Sequence, residues 1–246
     1  MHTKNMQVLS GLRERYYFSV LEDIFNWYCQ QYGVAAVGNY LTEIMQKAEP
    51  AINNLIEERK KNGIICSTDQ ARKSIAGNGF QSLVFLTLVT MQSKQLIPAR
   101  IIFSLKPKSH PIINQFAVIK VSDEVLKPDM DLMAYTEECQ RVAIYSLKTS
   151  MRERAGQTHR WKLLMDIATA QDAESIRRKY KISYTGGRQF SMNFITTNFY
   201  DEITSPQQRG MLGFFDRVYL TKPGEFEAPV LNFSHIAKDL SAIYGV

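Results

Sequence analysis

The spacing of apolar residues changes once along the chain, close to Ile97. Before this point apolar residues recur at every third or fourth position, which predicts helices. The clearest stripe of this kind comprises Tyr17, Val20, Leu21, Ile24, Phe25 and Tyr28. After it, short apolar runs such as "ARIIFSL", "FAVIKV" and "RVYLT" lie between turn-rich segments, which predicts strands. Helical segments separate these runs, so we expect an α/β protein with a mixed β-sheet core flanked by helices, behind a helical N-terminal segment.

The predicted elements divide the chain into two parts. Residues 1–66 form the helical N-terminal segment, and residues 67–246 form the core that contains the sheet. The core opens with a helix over "QARKSIAGNGFQSLVFLTLVTMQ", which Ser67, Thr68 or Asp69 can cap. Because the second half of this helix is strongly apolar, we expect it to be buried. The stretch "LVFLTLVTM" is too short to cross a bilayer, so no membrane partner is expected.

The composition limits the classes of function. A formal net charge of +6 spread over 246 residues favours a polyanionic partner such as nucleic acid. The cysteines Cys29, Cys66 and Cys139 lie far apart without metal-binding spacing, which is typical of free thiols in a reducing compartment. The N-terminal residues include no long apolar region of the kind found in secretion signals. A cytoplasmic protein is therefore expected.

One segment, "KPDMDLMAYTEECQRVAIYSLKTS" at 127–150, predicts a hairpin with chemistry at its open end. Two apolar strands flank the turn "TEECQR", and their pairing places Asp129 beside Ser146 and Lys148. A carboxylate and an ammonium at neighbouring strand ends can hold a divalent ion and activate water next to a phosphate. The alternative is a surface hairpin closed by a weak ion pair.

The order of residue types resembles the active-site signature of PD-(D/E)XK nucleases, above all type II restriction endonucleases. The resemblance implies a restriction-endonuclease-like fold, Asp129 as a Mg²⁺ ligand, and Lys148 as the residue that orients or activates the attacking water. The position two before the lysine, a second carboxylate in that family, is Ser146 here. Ser-x-Lys is similar to a subset that cuts CCGG-type or CC(N)GG-type sites, in which the following helix supplies the missing Glu. Ser146 would then shape the site and bind no metal.

The residues after the lysine extend the resemblance to this subset. Arg152, Glu153 and Arg154 begin four residues after Lys148, where the subset carries a triplet that reads G·C pairs. Arginine can donate to O6 and N7 of guanine, and glutamate can accept from the amino group of cytosine. The resemblance also implies that Gln157 contacts DNA. Ser150 and Glu153 have the spacing of a helix capping box, a reading that is compatible with base recognition.

The relocated acid of the subset has no direct counterpart. Trp161 and Lys162 stand thirteen and fourteen residues after Lys148, where the Glu is expected. Asp166 lies one helical turn beyond Lys162 and is a candidate metal ligand. Two further candidates are Gln81, on the helix before the sheet, and Asp131, if the register of the hairpin is shifted. The nearby residues Arg160 and Lys162 are expected at the DNA backbone or on a solvated face.

The resemblance implies a Mg²⁺-dependent type II restriction endonuclease that hydrolyses double-stranded DNA at a short G·C-containing site. A palindromic target implies a homodimer. A cognate DNA methyltransferase is expected in the same system, without forming a stable complex. The alternative is a non-catalytic DNA-binding or regulatory protein with a degenerate nuclease core, which the serine at position 146 and the missing Glu both motivate.

Overall fold

A computed structural model describes residues 1–116, 118–127, 130–138, 141–150, 154–184, 186, 189–197 and 202–245, with the backbone alone at 154–157, 189 and 202. The strands in this part of the chain are β1 (Ile102–Leu105), β2 (Ile119–Val121), β3 (Glu124–Leu126), β4 (Leu132–Tyr135), β5 (Arg141–Lys148), β6 (Ile182–Tyr184), β7 (Gln189–Thr196), β8 (Arg217–Leu220) and β9 (Val230–Asn232). The helices are α1 (Thr3–Arg13), α2 (Phe18–Tyr32), α3 (Leu41–Lys61), α4 (Thr68–Ser93), α5 (Pro111–Phe116), α6 (Arg154–Thr169), α7 (Glu174–Tyr180), α8 (Pro206–Leu212) and α9 (Ile236–Tyr244).

The main sheet has six strands in the order β1-β4-β5-β7-β8-β9. Strands β1, β4 and β5 are antiparallel, whereas β5, β7, β8 and β9 are parallel. Strands β3, β2 and β6 form a second, smaller antiparallel sheet. The central strand β5 is buried at every residue after Arg141, as expected for a strand covered on both faces. A mixed sheet flanked by helices, behind helices at the N-terminus, confirms the predicted fold class.

Helix α3 contains a proline in its interior. The helix runs without a break from Leu41 to Lys61, with Pro50 inside. Proline removes the hydrogen bond to the carbonyl four residues earlier, that of Gln46. Pro50 and Gln46 are both exposed, so water can satisfy this carbonyl.

Strands β3 and β9 were not predicted, because they are only three residues long and lie in polar or turn-rich segments.

One apolar core joins the N-terminal helices to the sheet. It contains side chains of α1 to α4, one face of β4 and β5, and α9, among them Leu21, Ile44, Phe85, Leu132 and Tyr145. The division at residue 66 stays a prediction, and the two parts share this core.

Helix α4 begins and is buried as predicted. Ser67 caps it, because the Ser67 hydroxyl accepts a hydrogen bond from the Gln70 N–H at 3.3 Å. The second half, from Leu83 to Met91, is buried apart from Thr90. The whole helix is longer than its apolar stretch suggested, and its length and composition would suffice to cross a membrane. However, 67% of its most apolar window is buried inside the protein, which fits a core helix.

The carboxyl ends of four strands meet at one edge of the main sheet. Lys148, Thr196, Leu220 and Asn232 end β5, β7, β8 and β9, and the register aligns each with its neighbour. Open parallel sheets generally bind ligands at this edge. Helix α6 starts at the same edge, shortly after Lys148, and its residue Met165 packs against the sheet in a cluster with Met192.

Two cysteines lie within the part of the chain that the structure describes. Cys29 and Cys66 are both free, as predicted, and Cys139 lies outside it. Cys66 is exposed, whereas burial raises the pKa of the Cys29 thiol to about 11. Cys29 is therefore a poor nucleophile at neutral pH.

The close packing of Gly38 against Phe233 gives a test of the fold. A Cβ at Gly38 would lie 2.1 Å from Cδ1 of the fully buried Phe233 ring. We expect Gly38→Ala to lower the free energy of unfolding by about 1–3 kcal/mol, because the ring has to move within a packed core. Gly77→Ala is the matched control, since nothing lies within 4 Å of its Cβ position in α4. Urea unfolding that gave the two variants equal stabilities would contradict this packing.

Candidate active site

The open end of the β4–β5 hairpin brings an acid and a lysine together. Lys148 ends β5, and its Nζ donates to Oδ2 of Asp131 at 2.8 Å. The two side chains are 8% and 16% exposed, so the pair is largely shielded from solvent. Asp131 directly precedes β4. The sequence predicted Asp129 as the acid beside Lys148, and Asp129 lies outside the described residues.

The Asp131 carboxylate is held by three donors. Oδ2 accepts from the Leu147 N–H as well as from Lys148, each at 2.8 Å. Oδ1 accepts from Nε2 of Gln81, on α4, at 2.9 Å. The main chain of Asp131 is also fixed, because its N–H donates to the Tyr145 carbonyl at 3.0 Å. The carboxylate therefore has one defined position relative to Lys148.

Asp131 reaches Lys148 because the alternation of side chains breaks at the strand entrance. Strict alternation would place Asp131 on the face of Met133 and Tyr135, but Met130 packs with them instead. Asp131 lies in a bend, and its carboxylate turns toward the Leu147 N–H. No shift of the strand register is involved, since Leu132 pairs directly with Tyr145.

Ser146 connects the sheet to α6. The side chain is buried, and its hydroxyl lies 3.3 Å from that of Thr158, so that either can donate. Thr158 is in the second turn of α6. The contact fixes the start of α6 against β5, and a role of Ser146 in shaping the site stays a prediction.

Lys162 and Asp166 form a separate cluster further along α6. Lys162 Nζ lies 2.6 Å from Oδ1 of Asp166 and 3.5 Å from Oδ1 of Asp216. The expectation that Lys162 lies on a solvated face or at the DNA backbone is wrong, because it is 8% exposed and paired with acids. Asp166 is eight residues beyond Thr158, about 12 Å along the helix axis. Where the resemblance expects an acid, this chain carries a buried cation.

Several predicted site residues lie outside the described part. These are Asp129, Arg152 and Glu153, together with the side chains of Arg154 and Gln157. Arg154 is the first residue of α6, so the predicted base-reading triplet leads directly into that helix.

The described residues add two groups that the sequence reasoning ranked low or missed. Asp131 was only an alternative, although the repeated acid in "PDMDL" marked it. Thr158 was not considered, because a threonine inside a helix gives no sequence signal of a partner on a strand. Within the described ranges, no three His, Cys, Asp or Glu side chains are close enough together to hold a metal ion.

The other face of β5 is apolar beneath the site. Tyr145 is fully buried there, and burial raises the pKa of its phenol well above the usual value. Tyr219 lies on β8, two strands from β5, and burial is also the chief cause of its raised pKa. Burial thus favours the neutral form of both phenols.

Comparison with known proteins connects this geometry to a family. The model of the family "BsaWI restriction endonuclease type 2" matches residues 109–243, more than half of the chain. The match includes the hairpin, Asp131, Lys148 and α6. The chain belongs to this restriction endonuclease family. Membership supports site-specific DNA cleavage, and it confirms the prediction of a type II restriction endonuclease at this level. No curated protein matches the sequence.

The burial of the Asp131–Lys148 pair predicts strong coupling between the two residues. Asp131→Ala leaves a shielded ammonium with one partner fewer, so we expect a loss of about 3 kcal/mol in the free energy of unfolding. Adding Lys148→Met should recover part of that loss, because the charge is gone. A double-mutant cycle measured by urea unfolding checks this. The exposed pair Arg178–Glu174 is the matched control and should show no measurable coupling. Equal coupling in the two pairs would refute the prediction.

Proposed function

We propose that this restriction endonuclease is Mg²⁺-dependent and hydrolyses phosphodiester bonds of double-stranded DNA at a short G·C-containing site. The observation that carries the proposal is the Asp131–Lys148 pair at the carboxyl edge of the sheet, inside the segment that matches the family. The net charge of +6 suits a polyanionic substrate.

Lys148 is the proposed catalytic residue. Its ammonium is held by Asp131 at the end of β5, so it can donate to an attacking water and offset charge that develops on the phosphate. A fixed donor of this kind needs no reorganisation during the reaction. Asp131 fixes the direction of the Lys148 side chain, and Gln81 and the Leu147 N–H fix Asp131.

The Asp131 carboxylate can contribute one ligand to a hard cation. Mg²⁺ prefers a small number of carboxylate ligands and keeps several waters. A carboxylate has about four acceptor positions, and the three donors to Asp131 leave room for one more. We propose that Asp129 and Asp131 hold the ion. Asp166 was the other proposed ligand, and its pairing with Lys162 favours Asp131 in its place. When bound, Mg²⁺ would supply positive charge at the scissile phosphate.

The proposed base-reading residues are Arg152, Glu153, Arg154 and Gln157. The position of α6 supports this assignment, because the helix begins six residues after Lys148 and is fixed to β5 through Ser146. Reading and cutting would then occur at adjacent points of one segment. The triplet is similar to that of enzymes that cut CCGG-type or CC(N)GG-type sites, so G·C pairs at the centre of the target are proposed.

The remaining parts of the proposal follow from the target. A palindromic site suits a homodimer, in which each protomer reads one half. A methyltransferase of the same specificity would protect the host DNA without a stable complex. We place the enzyme in the cytoplasm, with residues 67–246 as the PD-(D/E)XK core and residues 1–66 as a helical segment.

Substitution of the proposed site tests the chemistry. We expect Lys148→Ala or Asp129→Ala to abolish Mg²⁺-dependent cleavage of plasmid DNA, because each removes a group at the scissile phosphate, while binding in Ca²⁺ survives. Sequencing the ends made by wild-type protein gives the target site and the stagger. Lys120→Ala is the control, since Lys120 is an exposed lysine on β2, and it should cut normally. Robust cutting by Lys148→Ala would exclude the proposed role.

The same experiment distinguishes the nuclease from the non-catalytic DNA-binding alternative. The serine at position 146 and the buried Lys162 favour that alternative. That alternative expects specific DNA binding by wild-type protein without cleavage in Mg²⁺ or Mn²⁺. Calorimetric titration of either ion into wild type and Asp129→Ala distinguishes the two cases. An ion that binds wild type alone supports the nuclease.

The base-reading role makes a separate prediction. Arg152→Ala should lose discrimination at one G·C pair, by about 1–3 kcal/mol, because a bidentate contact to guanine is removed. The measurement compares binding to the target with binding to sites that differ at one base pair. Arg160→Ala is the control on α6; this exposed arginine is expected to change affinity equally for all sequences. Unchanged discrimination in Arg152→Ala would remove the assignment.

A further inference from the structure

Two hydrogen bonds in succession link α3 to the residue that follows Lys148. Thr42 is the second residue of α3, and its hydroxyl donates to the Thr197 carbonyl at 3.0 Å. The Thr197 hydroxyl donates in turn to the Thr149 carbonyl at 2.8 Å. Thr42 is 3% exposed and Thr197 is fully buried, so the first bond is shielded from water, whereas Thr149 is partly exposed. The N-terminal helical segment therefore reaches the exit of β5 through two side-chain hydroxyls.

Thr42 is itself fixed against the sheet. Its N–H is one of the first in α3 and has no partner within the helix. This N–H donates to the Thr221 carbonyl at 3.1 Å, directly after β8. The hydroxyls of Thr42 and Thr221 also lie 3.1 Å apart; since the Thr42 hydroxyl donates to Thr197, the Thr221 hydroxyl is the one that can donate across this contact. The residue before α3, Tyr40, supplies no side-chain cap, so the sheet edge performs that task.

The position of the Thr149 carbonyl bears on DNA recognition. It lies between Lys148 and the proposed base-reading residues at 152–157. Thr149 directly follows β5 and lies five residues before the first residue of α6. Ser146 and Thr158 fix the helix from the other side. A small displacement of the chain at Thr149 would move the proposed reading residues relative to the scissile phosphate. Displacements of about 1 Å can lower rates by orders of magnitude.

We propose that Thr42 is a positioning residue for DNA recognition, which acts through Thr197 and Thr149 on the segment after Lys148. The inference rests on the proposed function, because it needs that segment to contact DNA. It assigns the helical N-terminal segment a part in sequence discrimination, through a hydroxyl that touches no DNA.

The test uses full-length protein and the target site found by end sequencing. Thr42→Val removes the hydroxyl and keeps the shape of the side chain, whereas Thr42→Ser keeps the hydroxyl. Thr87→Val is the matched control, because the buried Thr87 hydroxyl bonds only to the Leu83 carbonyl one turn earlier in α4. The readout is kcat/KM at the target divided by kcat/KM at sites with one substituted base pair. This ratio does not depend on the fraction of folded protein.

We expect Thr42→Val to lower the ratio on the order of tenfold. Thr42→Ser and Thr87→Val should keep the wild-type ratio. Thr197→Val should lower it in the same direction, and the double variant should be no worse than the poorer single variant, because both act along one path. If wild type cuts DNA and Thr42→Val keeps the full ratio, the inference is wrong and the proposed function stands. If wild type cuts no DNA under any metal condition, the proposed function itself fails.

Discussion

The candidate site depends on one electrostatic constraint, the placement of the Lys148 ammonium in a largely buried position at the end of β5. A cation at 8% exposure requires a partner that replaces most of its hydration. Asp131 is that partner, and its own position is set by Gln81 and by the Leu147 N–H. The arrangement draws on α4, the hairpin and the end of β5 together. Correct packing of α4 in the core is therefore a condition for a correctly placed Lys148.

The same dependence explains why the N-terminal helices and the sheet share one core. Helix α4 presents apolar residues to α2, α3 and the sheet along most of its length, and it presents Gln81 to the site near its middle. Helix α3 begins at the sheet edge, where the Thr42 hydroxyl donates to the Thr197 carbonyl. A loss of packing in these helices would therefore disturb the positions of the hairpin residues. Residues 1–66 nevertheless carry none of the predicted catalytic groups.

Much of the architecture was predictable because apolar periodicity is a local property. The switch near Ile97, the hairpin, the capped α4 and the α6 helix were all found in this way. The sequence placed Asp129 beside Lys148 and offered Asp131 only as an alternative metal ligand, because the contact of Asp131 with Lys148 depends on a break in alternation at a single residue. Lys162 pairs with Asp216, and Thr42 contacts Thr197. Both contacts join residues that are distant in sequence, so no local sequence pattern predicts them.

Lys162 also limits how this site can change over evolutionary time. The lysine lies between Asp166 and Asp216, and the Asp216 carboxylate accepts the Met192 N–H. Replacing the lysine by glutamate, the acid that the resemblance expects near this position, would gather three carboxylates in one small volume. Their repulsion would oppose the change unless an aspartate were lost at the same time. A glutamate at position 162 would therefore require a second substitution, at Asp166 or at Asp216.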